Sequence, residues 1–371
     1  MLTEHIKDFT NVDEMFDTIV IGGGQAGLAV GYFLAQKNEN FIILDDNSHS
    51  GDSWRKRWEG LKLFTPSKFN GLPGAPFPKP GDYFPTKDEV ADYLEGYAQQ
   101  FNLPIRHDIK VETLSRDGQD YHISTGSSRF SARNVIIATG PFQIPYIPAF
   151  ASALDPAIFQ LHSSAYRNPQ QIPAQSVLVV GAGNSGAEIA LEFVRAGRQV
   201  WLAGRDVGKV PANGPMGKFL GGRPIWWFMN HILTVNTPIG RKVKAGQGHQ
   251  GTPLGRATRQ EITDAGVKLA PRVSGVQSGK PQLEDGRALP VEGVIWATGF
   301  HPDYHWINLP IFDEHGFPKH RRGIVQDVPG LYFIGLMFQT ALSSSLLGGV
   351  GKDAAYITGQ ISSNEKSAAK L

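Results

Sequence analysis

The sequence of 371 residues contains no cysteine, which excludes disulfide scaffolds, thiolate metal sites and catalytic dithiols. It also contains no apolar run long enough to span a bilayer, and residues 1–16 lack the apolar core of a signal peptide. Neither sign of charge is in excess, because 36 Lys and Arg residues face 34 Asp and Glu residues. We therefore expect a cytoplasmic protein with no transmembrane segment and no nucleic-acid partner.

A glycine motif between two apolar segments dominates the first fifty residues. Residues 16–21 are typical of a buried strand, residues 25–36 of a helix packed on a sheet, and residues 41–44 of a second strand that ends at Asp45. The glycines between the first strand and the helix have the spacing G-x-G-x-x-G and are Gly22, Gly24 and Gly27. This arrangement predicts a dinucleotide site, with the diphosphate at the helix N-terminus and a ribose at the carboxylate.

The segment after this unit is long and irregular. Residues 51–86 are dense in Gly, Pro and aromatic residues, and a long loop in a compact domain is usually functional. Its aromatic side chains suit a flat ligand, although each of them could instead pin the loop to the core. They are Trp54, Trp58, Phe64 and Phe69. Periodicity then predicts a helix over 87–101 and strands over 105–111, 121–124, 127–130 and 134–140.

The first pattern recurs after a Pro-rich linker at 140–150. Gly181, Gly183 and Gly186 repeat the glycine spacing behind another apolar strand. The two motifs are 159 residues apart (181 − 22), and so are the Ala-Thr-Gly triplets at 138–140 and 297–299 (297 − 138). We therefore predict an α/β fold with two nested, three-layer, Rossmann-like dinucleotide-binding domains. The first would be discontinuous, formed by 1–150 and 291–371, around a second formed by 151–290.

The second unit lacks an acid at the end of its second strand. Arg205 stands close behind that strand, and an Arg there can pair with a 2′-phosphate that an acid would repel. This favours NADPH over NADH, although the adjacent Asp206 keeps NADH open. The two units thus predict two different dinucleotides.

An aromatic insert at 212–260 interrupts the second unit. A helix is predicted around Trp226, Trp227, Phe228 and Ile232. It could form a substrate channel, a membrane-facing patch or a subunit contact, which makes a homodimer plausible, or it could be buried within its own domain. Near the end of the chain, small residues at 343–351 would let a helix N-terminus approach a ligand.

Together these motifs resemble the class B flavin-containing monooxygenases. The resemblance is carried by the two glycine motifs, by GDSW with RW and LKLFTP in the loop after residue 50, by HSSAY and by VIWATGF. It covers about residues 16–361. The most similar patterns are those of the plant auxin-forming flavin monooxygenases and their small bacterial counterparts.

The resemblance implies FAD in the first unit and NADPH in the second, with NADH as the alternative, and no metal. The residues expected at FAD are Gly22, Gly24, Gln25, Ala26, Gly27, Asp45, Ser53, Trp54 and Val111. The residues expected at NADPH are Gly181, Gly183, Asn184, Ser185, Gly186 and Arg205. Further cofactor contacts are expected from the two triplets, at Ala138, Thr139, Gly140 and Thr298.

Two catalytic candidates come from the family fingerprint F-x-G-x-x-x-H-x-x-x-[FY]. His162 and Tyr166 match its second half, while Pro156 and Ile158 stand where Phe and Gly belong. The tyrosine, where Baeyer–Villiger enzymes carry Trp, favours oxygenation of heteroatoms. Pro66 replaces an Asn of the animal members. No side-chain nucleophile or general base is expected.

The implied activity is that of a FAD-dependent, NAD(P)H-consuming monooxygenase. It would form a C4a-hydroperoxyflavin with O2 and oxygenate small molecules such as sulfides and amines, with Baeyer–Villiger oxidation of ketones also open. One alternative is a flavin-dependent NADPH oxidase or reductase without oxygen transfer. Another is a non-catalytic redox sensor or interaction protein with the same fold.

Overall fold

The computed structural model describes residues 13–208, 222–247 and 254–368. The strands, in chain order, are β1 (Asp13–Ile21), β2 (Phe41–Leu44), β3 (Ile105–Arg106), β4 (Val111–Asp117), β5 (Asp120–Thr125), β6 (Arg129–Ile137), β7 (Ile144–Pro145), β8 (Phe159–His162), β9 (Ser176–Val180), β10 (Gln199–Ala203), β11 (Lys268–Ala270), β12 (Val273–Gln277), β13 (Lys280–Leu283), β14 (Gly293–Trp296), β15 (Phe300–His301) and β16 (Leu331–Phe333). The α-helices of the described part are α1 (Gln25–Gln36), α2 (Asp52–Arg55), α3 (Lys87–Gln100), α4 (Asn184–Arg195), α5 (Arg223–His231), α6 (Pro238–Gln247), α7 (Arg259–Asp264) and α8 (Val350–Ala368).

The first sheet has the strand order β3-β2-β1-β6-β5-β4, and β16 also pairs with β6. Strand β1 lies parallel to β2 and β6, whereas β4, β5 and β6 form an antiparallel element. Side chains of β1 alternate between two apolar clusters, with Val20 facing α1, α3 and α8 and its neighbours Ile19 and Ile21 facing the opposite cluster. Because both faces are covered, the carboxyl ends of β1 and β2 form a rigid edge for a ligand site.

The second sheet is parallel throughout and has the strand order β11-β10-β9-β14-β8. Its strands are short and apolar, as expected for strands buried on both faces. Strand β14 pairs with β9 and β8, so the predicted domain boundary at residue 291 lies before the last strand of this sheet rather than after it. The chain returns to the first sheet only after β15.

The two passages of the chain between the sheets lie side by side. Strand β7 on the outward passage pairs antiparallel with β15 on the return passage. The N–H group of Tyr146 donates to the carbonyl oxygen of Gly299 at 2.9 Å, and the hydroxyl of Thr298 donates to the carbonyl oxygen of Tyr146. We call this pair of passages the joint.

Two predicted strand assignments were wrong in detail. The expected strand over 105–111 is divided between β3 and β4, because Asp108 adopts a left-handed conformation with φ of +57° and turns the chain. The expected strands over 127–130 and 134–140 are one continuous strand, β6, which pairs with β1 along its length and with β5 over its first half.

The insert contributes α5 and α6, while residues 212–221 and 248–253 lie outside the described part. Helix α5 contains the predicted tryptophans and ends one residue before Ile232. Trp227 and Phe228 are 55% and 43% exposed, and Asn230 is the buried residue of this helix. The interpretation of α5 as a helix buried in its own domain was therefore wrong. Among the described residues, no helix combines the length and the apolar character needed to cross a bilayer.

Candidate functional site: two glycine cradles in one cavity

A large cavity runs between the two sheets. Its volume is about 2600 Å³, whereas ordinary small-molecule pockets measure roughly 300–1,000 Å³. Both glycine motifs, residues 61–65 of the long loop and the insert helix α5 contribute to its wall. The cavity therefore has room for two dinucleotides and a further small molecule.

The first glycine motif lies where β1 leads into α1. Gly22 has φ of +110°, and a Cβ atom there would lie 2.7 Å from the carbonyl oxygen of Ala138. A Cβ atom on Gly27 would overlap the carbonyl oxygen of Gly22, so this glycine allows α1 to pack closely on β1. Gly24 precedes α1, and a Cβ atom there would meet no protein atom within 4 Å. The N–H groups at the start of α1 thus face open space that suits a diphosphate.

Asp45 closes this first cradle at the end of β2. The residue is 5% exposed, and its Oδ1 atom accepts hydrogen bonds from the backbone N–H and the Nδ2 of Asn47, at 3.4 and 3.1 Å. Its Oδ2 atom lies beside Gly23 and 3.9 Å from the Nδ1 of His107. No hydrogen bond to Oδ2 comes from the described residues, which leaves this oxygen for ribose hydroxyls.

Trp54 is fixed by a hydrogen bond to the start of α1. Its Nε1 donates to the Oε1 of Gln25 at 3.2 Å, and the Nε2 of Gln25 donates to the carbonyl oxygen of Ser345 at 3.4 Å. All three residues line the cavity. The long loop, α1 and the segment before α8 are therefore joined at one point of the wall.

The second cradle repeats the first. Gly181 also has φ of +110°, and a Cβ atom there would overlap the carbonyl oxygen of Ala297. Gly186 packs on Gly181 as Gly27 packs on Gly22, and Gly183 precedes α4 with open space before it. The Oδ1 of Asn184 accepts a hydrogen bond from the N–H of Gly255 at 2.8 Å, which fixes the end of the insert against α4.

Arg205 lies on the cavity wall just after β10 and forms no ion pair with the residues described. Asp206 is engaged elsewhere. Its Oδ1 accepts from the N–H of Gly208 at 2.9 Å, and its Oδ2 lies 3.5 Å from the Nη1 of Arg259. An anion on the second cradle would thus meet a guanidinium that is available and a carboxylate that is partly neutralised.

All the predicted cofactor-binding residues except Gly27 line the cavity. They are Gly22, Gly24, Gln25, Ala26, Asp45, Ser53, Trp54, Val111, Ala138, Thr139, Gly140, Gly181, Gly183, Asn184, Ser185, Gly186, Arg205 and Thr298. Gly27 lies beneath the cradle, in the contact between α1 and β1. The structure therefore brings residues from eight separate segments of the sequence to one wall.

His162 does not reach this wall. It is 5% exposed, and its Nε2–H donates to the carbonyl oxygen of Gly299 at 3.0 Å. Its Nδ1 accepts from the N–H of Ser164 at 3.1 Å, so both ring nitrogens are paired within the protein. Burial, with the positive charge of Arg57, lowers the pKa of His162. The neutral imidazole of His162 therefore links the end of β8 to the joint by its hydrogen bond to Gly299.

Tyr166 is also buried away from the cavity, with no exposed surface. Its hydroxyl donates to the Oε2 of Glu192 on α4 at 2.9 Å. Burial raises the pKa of both groups, and the pKa of Tyr166 rises further because Glu192 is nearby. This hydrogen bond joins α4 to the segment between β8 and β9, and neither fingerprint residue lines the cavity.

Sequence reasoning missed an acid on the wall. Glu188 on α4 has a side chain that is 16% exposed, and its Oε1 lies 3.5 Å from the Nη1 of Arg256. Burial raises the pKa of Glu188 to about 7, although Arg256 opposes the shift. It follows Asn184 by four residues and shares its helix face, a spacing that could have identified it.

The aromatic residues of the long loop were expected either to line a ligand site or to pin the loop to the core, and the structure shows both arrangements. Trp54, Trp58 and Phe64 line the cavity. Phe69 instead stacks on Trp226 of α5, with ring centroids 5.0 Å apart and an interplanar angle of 14°. For Phe69 the packing role is therefore the one that the structure supports.

Helix α5 is fastened over the cavity by the segment before α8. The hydroxyl of Ser343 donates to the Oδ1 of Asn230 at 2.8 Å. Just past the helix, the N–H of Val235 donates to the carbonyl oxygen of Thr340 at 2.9 Å. The N–H of Leu342 donates to the carbonyl oxygen of Leu233 at 3.0 Å. The insert is therefore held against the segment before α8 and forms part of the cavity wall.

Comparison with known proteins agrees with this geometry. A family model described as pyridine nucleotide-disulphide oxidoreductase matches residues 19–212, more than half of the chain. The chain belongs to this pyridine nucleotide-disulphide oxidoreductase family. An oxidoreductase of Geobacillus kaustophilus (strain HTA426), CzcO-like and uncharacterised in activity, is 41% identical over 353 residues, or 94% of this chain and 99% of the relative.

Other proteins similar to this chain are named as monooxygenases. The probable indole-3-pyruvate monooxygenase YUCCA3 of Arabidopsis thaliana is 29% identical over 346 residues, or 81% of this chain and 77% of the relative. A doubly substituted flavin monooxygenase from Stenotrophomonas maltophilia superposes with a TM-score of 0.78 at 26% identity, over 95% of this chain and 99% of that one. The predicted recognition, fold and enzyme class are confirmed: the chain is an oxidoreductase of the flavin-containing monooxygenase type, whose cofactors are FAD and a pyridine nucleotide.

Proposed function

We propose that this oxidoreductase binds FAD in the first cradle and NADPH in the second, and oxygenates a small organic molecule with O2. One oxygen atom would go to the substrate and the other would leave as water, with NADPH supplying the two electrons as hydride. A sulfide or an amine is the substrate class proposed, with ketone oxidation as the further possibility. The observation that carries the proposal is that both cradles open into one cavity.

The first cradle fits FAD. Its helix N-terminus faces open space at Gly24, and the free Oδ2 of Asp45 stands at the end of the neighbouring strand. Trp54, held by Gln25, provides a flat surface for the ring system at the cavity wall. Bound flavin would supply the redox chemistry, accepting hydride from the nicotinamide and passing electrons to O2.

The second cradle fits the phosphorylated nicotinamide. Arg205 would pair with a 2′-phosphate, while Arg259 holds the carboxylate of Asp206. The missing cysteine leaves no dithiol that could accept the electrons, so the chain's own part is to bind, orient and exclude water. Helix α5 and the segment before α8 both contribute apolar side chains to the cavity wall.

The test is a balance of electrons and oxygen. The purified protein is supplied with NADPH and methyl phenyl sulfide, and the sulfoxide, the NADPH consumed and hydrogen peroxide are measured together. The proposal expects sulfoxide close to the NADPH consumed. Peroxide that accounts for all the NADPH, for this sulfide and for a panel of amines and ketones, would instead establish a flavin-dependent oxidase.

A matched pair of variants assigns the cradles. Gly24→Val and Gly183→Val each place a side chain in space that is free of protein atoms, so both proteins should fold. Gly24→Val should purify without flavin. Gly183→Val should stay yellow and be reduced by dithionite, yet its reduction by NADPH should slow at least about 100-fold. The opposite pattern would exchange the two assignments. The homodimer and the cytoplasmic location stay predictions.

A further inference from the structure

Helix α5 has one side that is tied to the protein and one side that is turned outward. On the tied side, Trp226 stacks on Phe69 with ring centroids 5.0 Å apart. The Oδ1 of Asn230 accepts a hydrogen bond from the hydroxyl of Ser343 at 2.8 Å. These contacts fix the rotation of the helix about its own axis, so the residues on its other side are held towards solvent.

The outward side of α5 combines aromatic and cationic side chains. Trp227 lies four residues after Arg223 and four before His231, so these three share one side of the helix. Phe228 lies in the neighbouring row, four residues after Pro224. All five are exposed, with Trp227 at 55% and Phe228 at 43%. The ring of Trp227 stacks on that of His231, with centroids 5.0 Å apart. We call these five residues the outward face.

Helix α6 begins directly behind α5 and adds further cations. Gly240 is buried, and a Cβ atom there would overlap the carbonyl oxygen of Thr234, so the start of α6 packs against the turn after α5. The exposed residues of α6 include Ile239, Arg241, Lys242 and Lys244. A helix of ten residues is about 15 Å long. Its cations therefore act on a charged surface that touches α5 wherever they point, because at low salt screening sets in only beyond about 30 Å.

No acid offsets these cations within the insert. From residue 207 to residue 260 the sequence contains no Asp or Glu, although 34 of the 371 residues of the chain are acidic. Eight basic residues fall in the same stretch, which are Lys209, Lys218, Arg223, Arg241, Lys242, Lys244, Arg256 and Arg259. The insert is thus a positive segment with exposed aromatic rings, in a chain whose net charge is only +2.

The charge of the insert decides which partner fits the outward face. In a two-fold dimer this face would meet its own copy, which would bring like charges together. A bilayer that contains anionic lipid complements both properties of the face, because indole and phenyl rings lodge at the level of the headgroups and cations are attracted to the lipid phosphates.

We propose that the outward face of α5, with the cations of α6, docks on the surface of a bilayer that contains anionic lipid. Trp227 and Phe228 enter the headgroup region, and Arg223 and Arg241 pair with lipid phosphates. The apolar area that enters is small, so the docking is reversible and is weakened by salt. This site lies outside the cofactor cradles and does not depend on the proposed function.

Docking is measured by flotation of the FAD-loaded protein with vesicles of phosphatidylcholine and phosphatidylglycerol in equal amounts, at low ionic strength. The wild type should float with these vesicles, be released by high salt, and bind vesicles of phosphatidylcholine alone at least roughly 10-fold more weakly. Trp227→Gln should lower the partition coefficient roughly 5- to 20-fold, because a half-exposed indole no longer enters the interface. Arg223→Gln combined with Arg241→Gln should lower it roughly 10- to 30-fold. None of these three residues lines the cavity.

Two control variants make the same kinds of change elsewhere. Met15→Gln removes an apolar side chain of β1 that is 57% exposed, and Arg129→Gln combined with Arg133→Gln removes two exposed cations of β6. Both should bind the anionic vesicles as the wild type does. A wild type that stays unbound would overturn the proposal, and so would binding that Trp227→Gln leaves unchanged. Equal binding to phosphatidylcholine alone would remove the role of the cations and overturn it as well.

The other occupants of the outward face give different results. If the wild type is a dimer by light scattering without lipid and Trp227→Gln is a monomer, the face belongs to a second copy of the chain. If Trp227→Gln instead lowers stability in urea and leaves lipid binding unchanged, a segment of the chain itself covers the face. Either result would overturn the proposed docking on lipid.

Discussion

The carbonyl oxygen of Ala138 occupies the space next to Gly22 that a side chain would need, since a Cβ atom there would lie 2.7 Å from it. Gly181 stands in the same relation to Ala297, 159 residues further along the chain (181 − 22 and 297 − 138). In the first domain this contact joins the turn after β1 to the end of the parallel strand β6. In the second domain it joins the turn after β9 to the end of the parallel strand β14. The Ala-Thr-Gly triplet is consequently part of each cradle and not a separate motif.

Gly22→Ala should destabilise the fold itself. The residue has φ of +110°, which costs an alanine about 1–2 kcal/mol, and the clash with Ala138 adds to it. We expect a loss of roughly 2 kcal/mol or more in urea unfolding of the flavin-free protein. Gly96→Ala is the control: it lies in α3 with no atom within 4 Å of the new Cβ, and should gain roughly 0.5–1 kcal/mol. Equal stability of the two variants would contradict the argument.

Arg205→Ala should change the choice of nicotinamide. Because Arg205 has no ion-pair partner among the described residues, its loss should affect the 2′-phosphate alone. The KM for NADPH should rise roughly 10- to 100-fold, while the KM for NADH stays within about twofold. Steady-state oxidation of both cofactors measures this. Arg287→Ala, a surface residue paired with Asp285, should change neither value. A parallel rise for NADH would show that Arg205 acts on the whole cofactor.

Glu188→Gln should flatten the pH dependence of stability. The pKa of Glu188 is raised from 4.5 to about 7, chiefly by burial. Between pH 4.5 and pH 7 the folded protein therefore keeps a proton that the unfolded chain loses. The contribution of this protonated group to the free energy of unfolding is fully present below pH 4.5 and is lost as the pH rises through 7. Relative to wild type, the variant should gain up to roughly 3 kcal/mol between pH 4.5 and pH 8.

Urea unfolding at pH 4.5, 6 and 8 measures that difference. The exposed Glu314→Gln is the control and should run parallel to wild type. If Glu188→Gln and the wild type show the same dependence of the free energy of unfolding on pH, the carboxylate is already ionised in the folded protein.

Tyr166→Phe should lower stability and leave catalysis unchanged. The substitution leaves the Oε2 of Glu192 without its buried donor, which costs about 1–3 kcal/mol. Tyr166 does not reach the cavity, so kcat at saturating substrate should stay within about twofold of wild type. Tyr121→Phe, which removes another buried hydroxyl far from the cradles, provides the reference for a purely structural loss. A kcat that falls well below that reference would return Tyr166 to the catalytic candidates.

Much of both cradles could be predicted from the sequence because their chemistry is local. A strand, three glycines, a helix and a terminal acid follow one another within thirty residues, so Gly22, Gly24 and Asp45 could be assigned before any tertiary contact was known. The same holds for the second cradle and for Arg205. Gly27, which the glycine spacing predicts at the contact of helix and strand, lies in the contact between α1 and β1.

Contacts between segments that are far apart in the sequence were harder to predict. The apolar residues of β14 describe a buried strand equally well in either sheet, and only its pairing with β9 shows that it belongs to the second sheet.

The joint has a mechanical consequence. Since β7 and β15 are hydrogen-bonded to each other and Thr298 is tied to Tyr146, the outward and return passages cannot bend independently. A rotation of the second domain relative to the first would therefore have to twist β7 and β15 together. Sliding of one domain along the other would break the hydrogen bonds between these two strands, so the joint favours relative motions that keep the strands paired.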